Sequence, residues 1–336
     1  MMDVGKLPAE LLARLLSRHP VTDPRVLVGP APGEDAAAID MGDRVLVAKT
    51  DPITFATDAI GWYAVNVNAN DIATMGAVPR WFLATVLLPE GAEERLAEEI
   101  FEQIATACEE LGIALVGGHT EITYGLSRPV VAGCLLGEAE HEHLLPSRGA
   151  RPGDILVLTK GIAVEGTAIL AREARHDLER AGVPSDLVER AAEFLHRPGI
   201  SVVRDARLAL ETGGVHAMHD PTEGGLITGL REIAAAAGAG IHVDAGAIPV
   251  LPETRVICDA LKLDPLGLIA SGALLAAVDP ERAPMLLETY HDAGVVAAAI
   301  GELTHPNEGL WLEREGERLP LPLFDRDEIA RYFSPR

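Results

Sequence analysis

Lysine is scarce in this sequence, and cysteine is scarcer. Only Lys6, Lys49, Lys160 and Lys262 occur, and lysine plus arginine number 28 against 51 aspartates and glutamates. The formal charge of −23 over 336 residues argues against a nucleic-acid backbone or an anionic membrane as the main partner. It also means that an anionic substrate needs local cations to offset the background field. Cys108, Cys134 and Cys258 are odd in number, widely spaced and free of any CxxC pair, which argues against a disulfide framework or a zinc knuckle. No apolar run reaches membrane-spanning length and no charged-then-apolar leader opens the sequence, so the expected location is cytoplasmic.

Common site motifs are missing as well. Without GxxxxGK[ST] there is no Walker-type phosphate loop, and without GxSxG no esterase-type serine. Gly238-Ala239-Gly240 lacks the third glycine of a dinucleotide fingerprint and sits where a helix should end. The imidazoles of "HEH" and "HAMH", residues 141–143 and 216–219, meet no second cluster at zinc spacing.

What remains is a globular composition long enough for two domains. "PSRGARPGD", residues 146–154, mixes proline, glycine and arginine between apolar runs, and divides residues 1–148 from 149–336. In the first part, residues 11–16 read as a short amphipathic helix and 45–50 as a strand. A helix capped by Thr57 or Asp58 runs through Trp62, Val65 and Ile72 and stops at Gly76. Leu96, Ile100, Ile104, Cys108 and Leu111 form one helical stripe ended by Gly112. Residues 81–88 and 130–136 read as strands, and 113–116 as a short buried strand opening onto "GGHTE". The second part alternates strands at 155–158 and 241–243 with helices at 165–175, 185–196, 200–211 and 223–237. The fold class is therefore α+β or α/β.

Acids stand at the ends of these elements. Asp35 follows Gly33-Glu34, and Asp51 ends a strand whose alternation puts Lys49 on the same face. Asp71 lies three residues from Asn68 on one helix face, Glu121 follows "GGHT", and Asp220 opens "DPTEGGL". Taken singly, each acid reads as a cap or a turn residue, as Asp58 and Asp154 do. Their recurrence in one chain suits Mg²⁺, a hard cation that takes one or two carboxylates plus substrate phosphates. Glycines beside the acids let backbone N–H groups approach phosphate oxygens.

"PGEDAA", "KTDPIT", "NDIATMGAVP", "GIALVGGHTE", "RPGDILVLT" and "HDPTEGGL" occur in the order seen in the aminoimidazole-ribonucleotide (AIR) synthetase-like superfamily. The sequence resembles that superfamily over residues 29–303, most of all its HypE branch. The resemblance implies a two-domain PurM-like fold: an N-terminal mixed sheet with helices that forms a homodimer, and a C-terminal α/β sandwich. It implies ATP and Mg²⁺ as cofactors, and attack on ATP by an oxygen of a small acceptor with release of ADP. It assigns Asp35, Asp51, Asp71 and Asp220 to metal, and Gly33, Thr50, Asn68, Gly117, Gly118, Thr120, Glu121 and Thr222 to the nucleotide. Asp51, Asp71, Lys49 and His119 are the catalytic candidates, with Lys49 contacting a phosphate and His119 orienting the nucleophile. HypE carries a carbamoyl group on a C-terminal cysteine; no cysteine follows Cys258 here, so that route is not expected. A kinase resembling thiamine-monophosphate kinase, and a nucleotide-binding maturation partner without turnover, are the alternatives.

Overall fold

Two sheets organise the chain, one in each of two units. The computed structural model describes residues 7, 9–31, 34–53 and 58–334. The N-terminal unit comprises Val21–Pro30 and Glu34–Leu144; the C-terminal unit comprises chiefly Leu145–Arg336, together with the helix α1 (Ala9–Leu16).

In the N-terminal unit the elements run β1 (Val26–Val28), β2 (Ala37–Asp40), β3 (Val45–Ile53), α2 (Ile60–Thr74), β4 (Val78–Pro89), α3 (Glu94–Leu111), β5 (Ala114–Thr123) and β6 (Val130–Ala139). The sheet order is β1-β2-β3-β6-β4-β5, antiparallel except where β4 meets β5. Helix α2 packs on β3, β4 and β6 on one side and on α3 on the other, and all fifteen of its residues are buried. Such a helix needs close approach on both sides, and glycines supply it. A Cβ on Gly61 would meet the Ile100 carbonyl oxygen at 2.5 Å, while Gly133 and Gly137 on β6 lie beneath Asn68 and Ile72. The side of α3 that faces the unit's interior is the stripe of Ile100, Ile104, Ala107 and Cys108. Gly112 ends the helix in the left-handed region at φ 66°, and Ile113 N donates back to Cys108 O in a Schellman-type cap.

The C-terminal unit runs β7 (Ile155–Thr159), α4 (Val164–Glu173), α5 (Arg175–Arg180), α6 (Ser185–Ala192), α7 (Val203–Thr212), β8 (Val215–His219), α8 (Gly225–Ala237) and β9 (Gly240–Asp244). It continues through α9 (Pro252–Leu261), β10 (Leu275–Val278), α10 (Ala283–Asp292), β11 (Ala297–Thr304), β12 (Leu310–Arg314), β13 (Glu317–Pro320) and α11 (Glu328–Phe333). Its sheet is β13-β12-β9-β11-β7-β10-β8, with only β12 and β9 parallel. Leu156, Leu158, Leu226, Leu230, Ile241, Leu275 and Ile300 belong to one buried cluster that joins α8 to this sheet.

Three expectations change. The segment expected as a short buried strand is instead a ten-residue strand, β5, that runs through "GGHTE" and is exposed along nearly all its length. It pairs with β4 alone among the described residues, at the edge of the sheet. The N-cap position of α2 belongs to Ala59, at φ 57° with no side-chain cap bond, rather than to Asp58, and Thr57 lies outside the described residues. The β12–β13 hairpin and α11 were not anticipated. Replacing Gly61 by valine should lower stability by about 1–3 kcal/mol through overpacking against α3, read as a lower urea midpoint at unchanged slope.

Candidate active site

Strand alternation and helix α2 together build an acidic pocket in the N-terminal unit. Lys49 and Asp51 share the β3 face that α2 covers, and Asp71 hangs from α2 above them. Lys49 Nζ lies 2.7 Å from Asp71 Oδ2 and 3.4 Å from Asp51 Oδ2. Carboxylate oxygens of Asp35 and Asp71 come within 4.8 Å of each other. Asn68 ties strand to helix: its Nδ2 donates to Asp51 O at 3.3 Å and to Ala64 O at 2.8 Å, while its Oδ1 is buried without a hydrogen-bond partner.

One ammonium therefore faces three carboxylates, and the titration of the group reflects that imbalance. Burial alone would depress Lys49, but Asp71 and Asp51, with Asp35 further off, raise its pKa above the ordinary lysine value. Asp71 is pushed up to about 6, first by burial and then by Asp35 and Asp51 against the opposing pull of Lys49. Asp35, Asp51 and Asp71 bring several carboxylate oxygens together around the Lys49 ammonium. Hard oxygen donors of this kind suit a divalent cation, so the donor set fits Mg²⁺.

Thr50 points to the other sheet face, its Oγ1 donating to Gly133 O at 2.8 Å. Asp51, Gly133, Ala84 and Gly118 stand in one row across β3, β6, β4 and β5. A Cβ on Gly118 would collide with the Ala84 backbone, so glycine is required there. His119, Thr120 and Glu121 lie on the far edge strand, three strand spacings or roughly 14 Å from β3. His119 Nε2 and Glu121 Oε2 are 3.2 Å apart and both exposed. The structure thus groups Asp35, Lys49, Asp51, Asn68 and Asp71, and sets Gly117–Glu121 apart from them. Gly33 lies outside the described residues.

In the C-terminal unit, Asp220 ends β8 and is 1% exposed. The chain then turns through Thr222 and two left-handed glycines, Gly224 at φ 79° and Gly225 at φ 65°, into α8. Gly225 N donates to Thr222 O at 3.0 Å. Gly224 N donates to Asp327 Oδ2 at 2.5 Å, so this N–H is already taken by the N-cap residue of α11. Sequence reasoning missed Asp327 and Glu165, which both approach this corner. Their signals were present: an acid ahead of a helical run at Asp327-Glu328, and a lone acid in the otherwise small and apolar "GIAVEGTAIL".

The remaining candidates have structural partners. His216 pairs with Asp154 at 2.7 Å, His219 with Glu232 at 3.0 Å, and His141 with Asp40 at 3.1 Å. Lys160 Nζ is spent on Asp205 and on the Gly199 and Ser201 carbonyl oxygens. Burial pushes the Cys108 and Cys258 thiols up to about 11 and about 12.

This arrangement has relatives. Residues 33–139 match the N-terminal domain, and residues 151–311 the C-terminal domain, described for AIR synthase related proteins. The chain belongs to the AIR synthase related family. Carbamoyl dehydratase HypE of Rhizobium leguminosarum bv. viciae is 34% identical over 81% of this chain and 77% of that protein. HypE of Escherichia coli (strain K12) is 30% identical over 85% and 83%. A solved structure of the hydrogenase maturation protein HypE in complex with ATP is 27% identical, covers 97% of each chain and superposes with a TM-score of 0.72.

Within this family member, Lys49 pairs with both Asp51 and Asp71. Lys49→Met should cost about 3 kcal/mol by stranding the buried Asp71 carboxylate. The Lys49→Met/Asp71→Asn double variant should cost less than the sum of the single changes, measured as a coupling energy from urea denaturation.

Proposed function

We propose that the protein is a Mg²⁺-dependent, ATP-consuming enzyme of the HypE type that phosphorylates an oxygen of a small acceptor and releases ADP. The observation that carries this reading is the Lys49 ammonium bracketed by Asp35, Asp51 and Asp71, a set rich in hard oxygen ligands. The HypE relative in complex with ATP supports ATP as the nucleotide. The acceptor oxygen attacks the γ-phosphorus, the bond to the ADP oxygen breaks, and the acceptor proton passes to solvent. Bound Mg²⁺ would neutralise charge on the phosphates and align the transferring group.

Asp35, Asp51 and Asp71 are the proposed metal ligands, and Lys49 the phosphate contact. Thr50, Asn68, Gly117, Gly118, Thr120 and Glu121 are proposed for the nucleotide, and His119 for orienting the nucleophile. Asp220 and Thr222 are assigned metal and phosphate binding on the C-terminal unit. Burial and the raised thiols of Cys108 and Cys258 disfavour either as a carrier.

A homodimer belongs to the same proposal. Among the described residues, strand β5 leaves one backbone edge unpaired, and it exposes Val116 and Ile122, with Tyr124 just beyond its end, the last two 65% and 88% exposed. A second copy laid on this edge would cover that surface and remove an aggregation hazard. Sedimentation should show a dimer that Ile122→Lys shifts toward monomer; a wild-type monomer at micromolar concentration would refute it.

Asp51→Asn and Asp71→Asn should each lower ADP formation by about 100-fold or more while circular dichroism stays unchanged. The assay uses Mg-ATP with a panel of oxygen acceptors, and EDTA should abolish the activity. Full activity in either variant would sink the metal assignment. Tight Mg-ATP binding with no ADP release over the whole panel would overturn turnover itself.

A further inference from the structure

Glu165 is a buried acid that the proposed phosphoryl transfer leaves without a role. It sits in the first turn of α4 at 6% exposure. Its carboxyl group is hydrogen-bonded to Ser271, and Oε2 is buried without a hydrogen-bond partner. The backbone reinforces this link: Glu165 N donates to Ser271 O at 3.2 Å and Gly166 N to Ile269 O at 3.1 Å. The start of α4 therefore holds the strip of residues 269–271.

That strip holds the glycine corner in turn. Ala270 N donates to Thr222 O at 3.3 Å. A Cβ on Gly225 would press on the Leu266 and Leu268 carbonyl oxygens at 2.6 and 2.8 Å, so glycine lets the corner lie this close. Asp327 closes the arrangement by accepting from the N–H groups of Gly224 and Ile269. The charged groups facing Glu165 are Glu223 and Asp327, both acidic. Burial first, then these two acids, push Glu165 up to about 8, and burial lifts Asp327 to about 6. Methionine would fill the same space without leaving a polar atom unpartnered.

We infer that Glu165 is a positioning residue for the corner at residues 220–225: through Ser271 and the strip 269–271 it keeps that corner in the form that takes nucleotide phosphates. Ionisation of Glu165 leaves charge on a buried carboxyl group whose Oε2 has no hydrogen-bond partner, and loosens the corner. The inference rests on the ATP-binding reading above.

The test compares wild type with Glu165→Gln, which keeps the shape and cannot ionise. Calorimetry with Mg-AMPPNP from pH 7 to 9 should show wild-type affinity weakening about tenfold by pH 9, while Glu165→Gln keeps its pH 7 value. Equal weakening in both proteins overturns the inference. No nucleotide binding by wild type at any pH overturns the ATP reading instead, and the two failures are distinct.

Thermal melts without nucleotide read the proton separately. A carboxyl raised from 4.5 to about 8 stabilises fully below its ordinary value, and the contribution is lost as pH rises through about 8. The melting temperature of Glu165→Gln should therefore gain on wild type from pH 5 to 8 and hold steady above. The Asp327 contribution is common to both proteins and cancels to first order in the difference. A constant gap would also overturn the inference, because Glu165 would then titrate as an ordinary acid.

Discussion

The N-terminal unit depends on one ion pair made beneath a helix that has no exposed face. Lys49 reaches from β3 to Asp71 on α2, and the two carry opposite charges out of water together. Such a pair contributes little net stability, since desolvation offsets the attraction, but either partner alone is costly. The pair therefore fixes how α2 lies on the sheet, with Asn68 bonding strand and helix beside it. The gathering of carboxylates around Lys49 follows from the same placement.

The C-terminal unit uses a different device. Its corner between β8 and α8 depends on two consecutive left-handed glycines, a conformation that side chains resist. Neighbouring backbone crowds it on the side of residues 266–268, and Asp327 occupies one of its N–H groups. Family membership covers both units, yet fold alone does not name an acceptor. The acceptor depends on pocket shape and on which side chains meet the leaving proton.

Much of this was legible from sequence, for identifiable reasons. The stripe on α3 was readable because its period is local, and Lys49 with Asp51 because alternation along a strand is local too. Asp71 was readable from its ordered motif rather than from pattern, since α2 is buried on every side and has no polar face to reveal its orientation. Strand β5 was misread because its burial depends on what lies beside it, which no run of residues encodes. The cap of α2 failed because Ala59 takes a left-handed conformation that sequence gives no cause to expect. Glu165 and Asp327 escaped notice because they reach the corner from about 60 and 100 residues away in the chain, and contacts at that separation leave no spacing signature.

Helix α2 is at once the carrier of Asp71 and the element with no solvent-facing residue. Its backbone amides cannot exchange with water by local fraying, because every turn is covered by sheet or by α3. In the language of hydrogen exchange, they belong with the slowest class, released only when the whole N-terminal unit opens. The acid that would hold the metal thus shares its fate with the core, and a bound metal nucleotide would lengthen the unit's lifetime against unfolding and proteolysis.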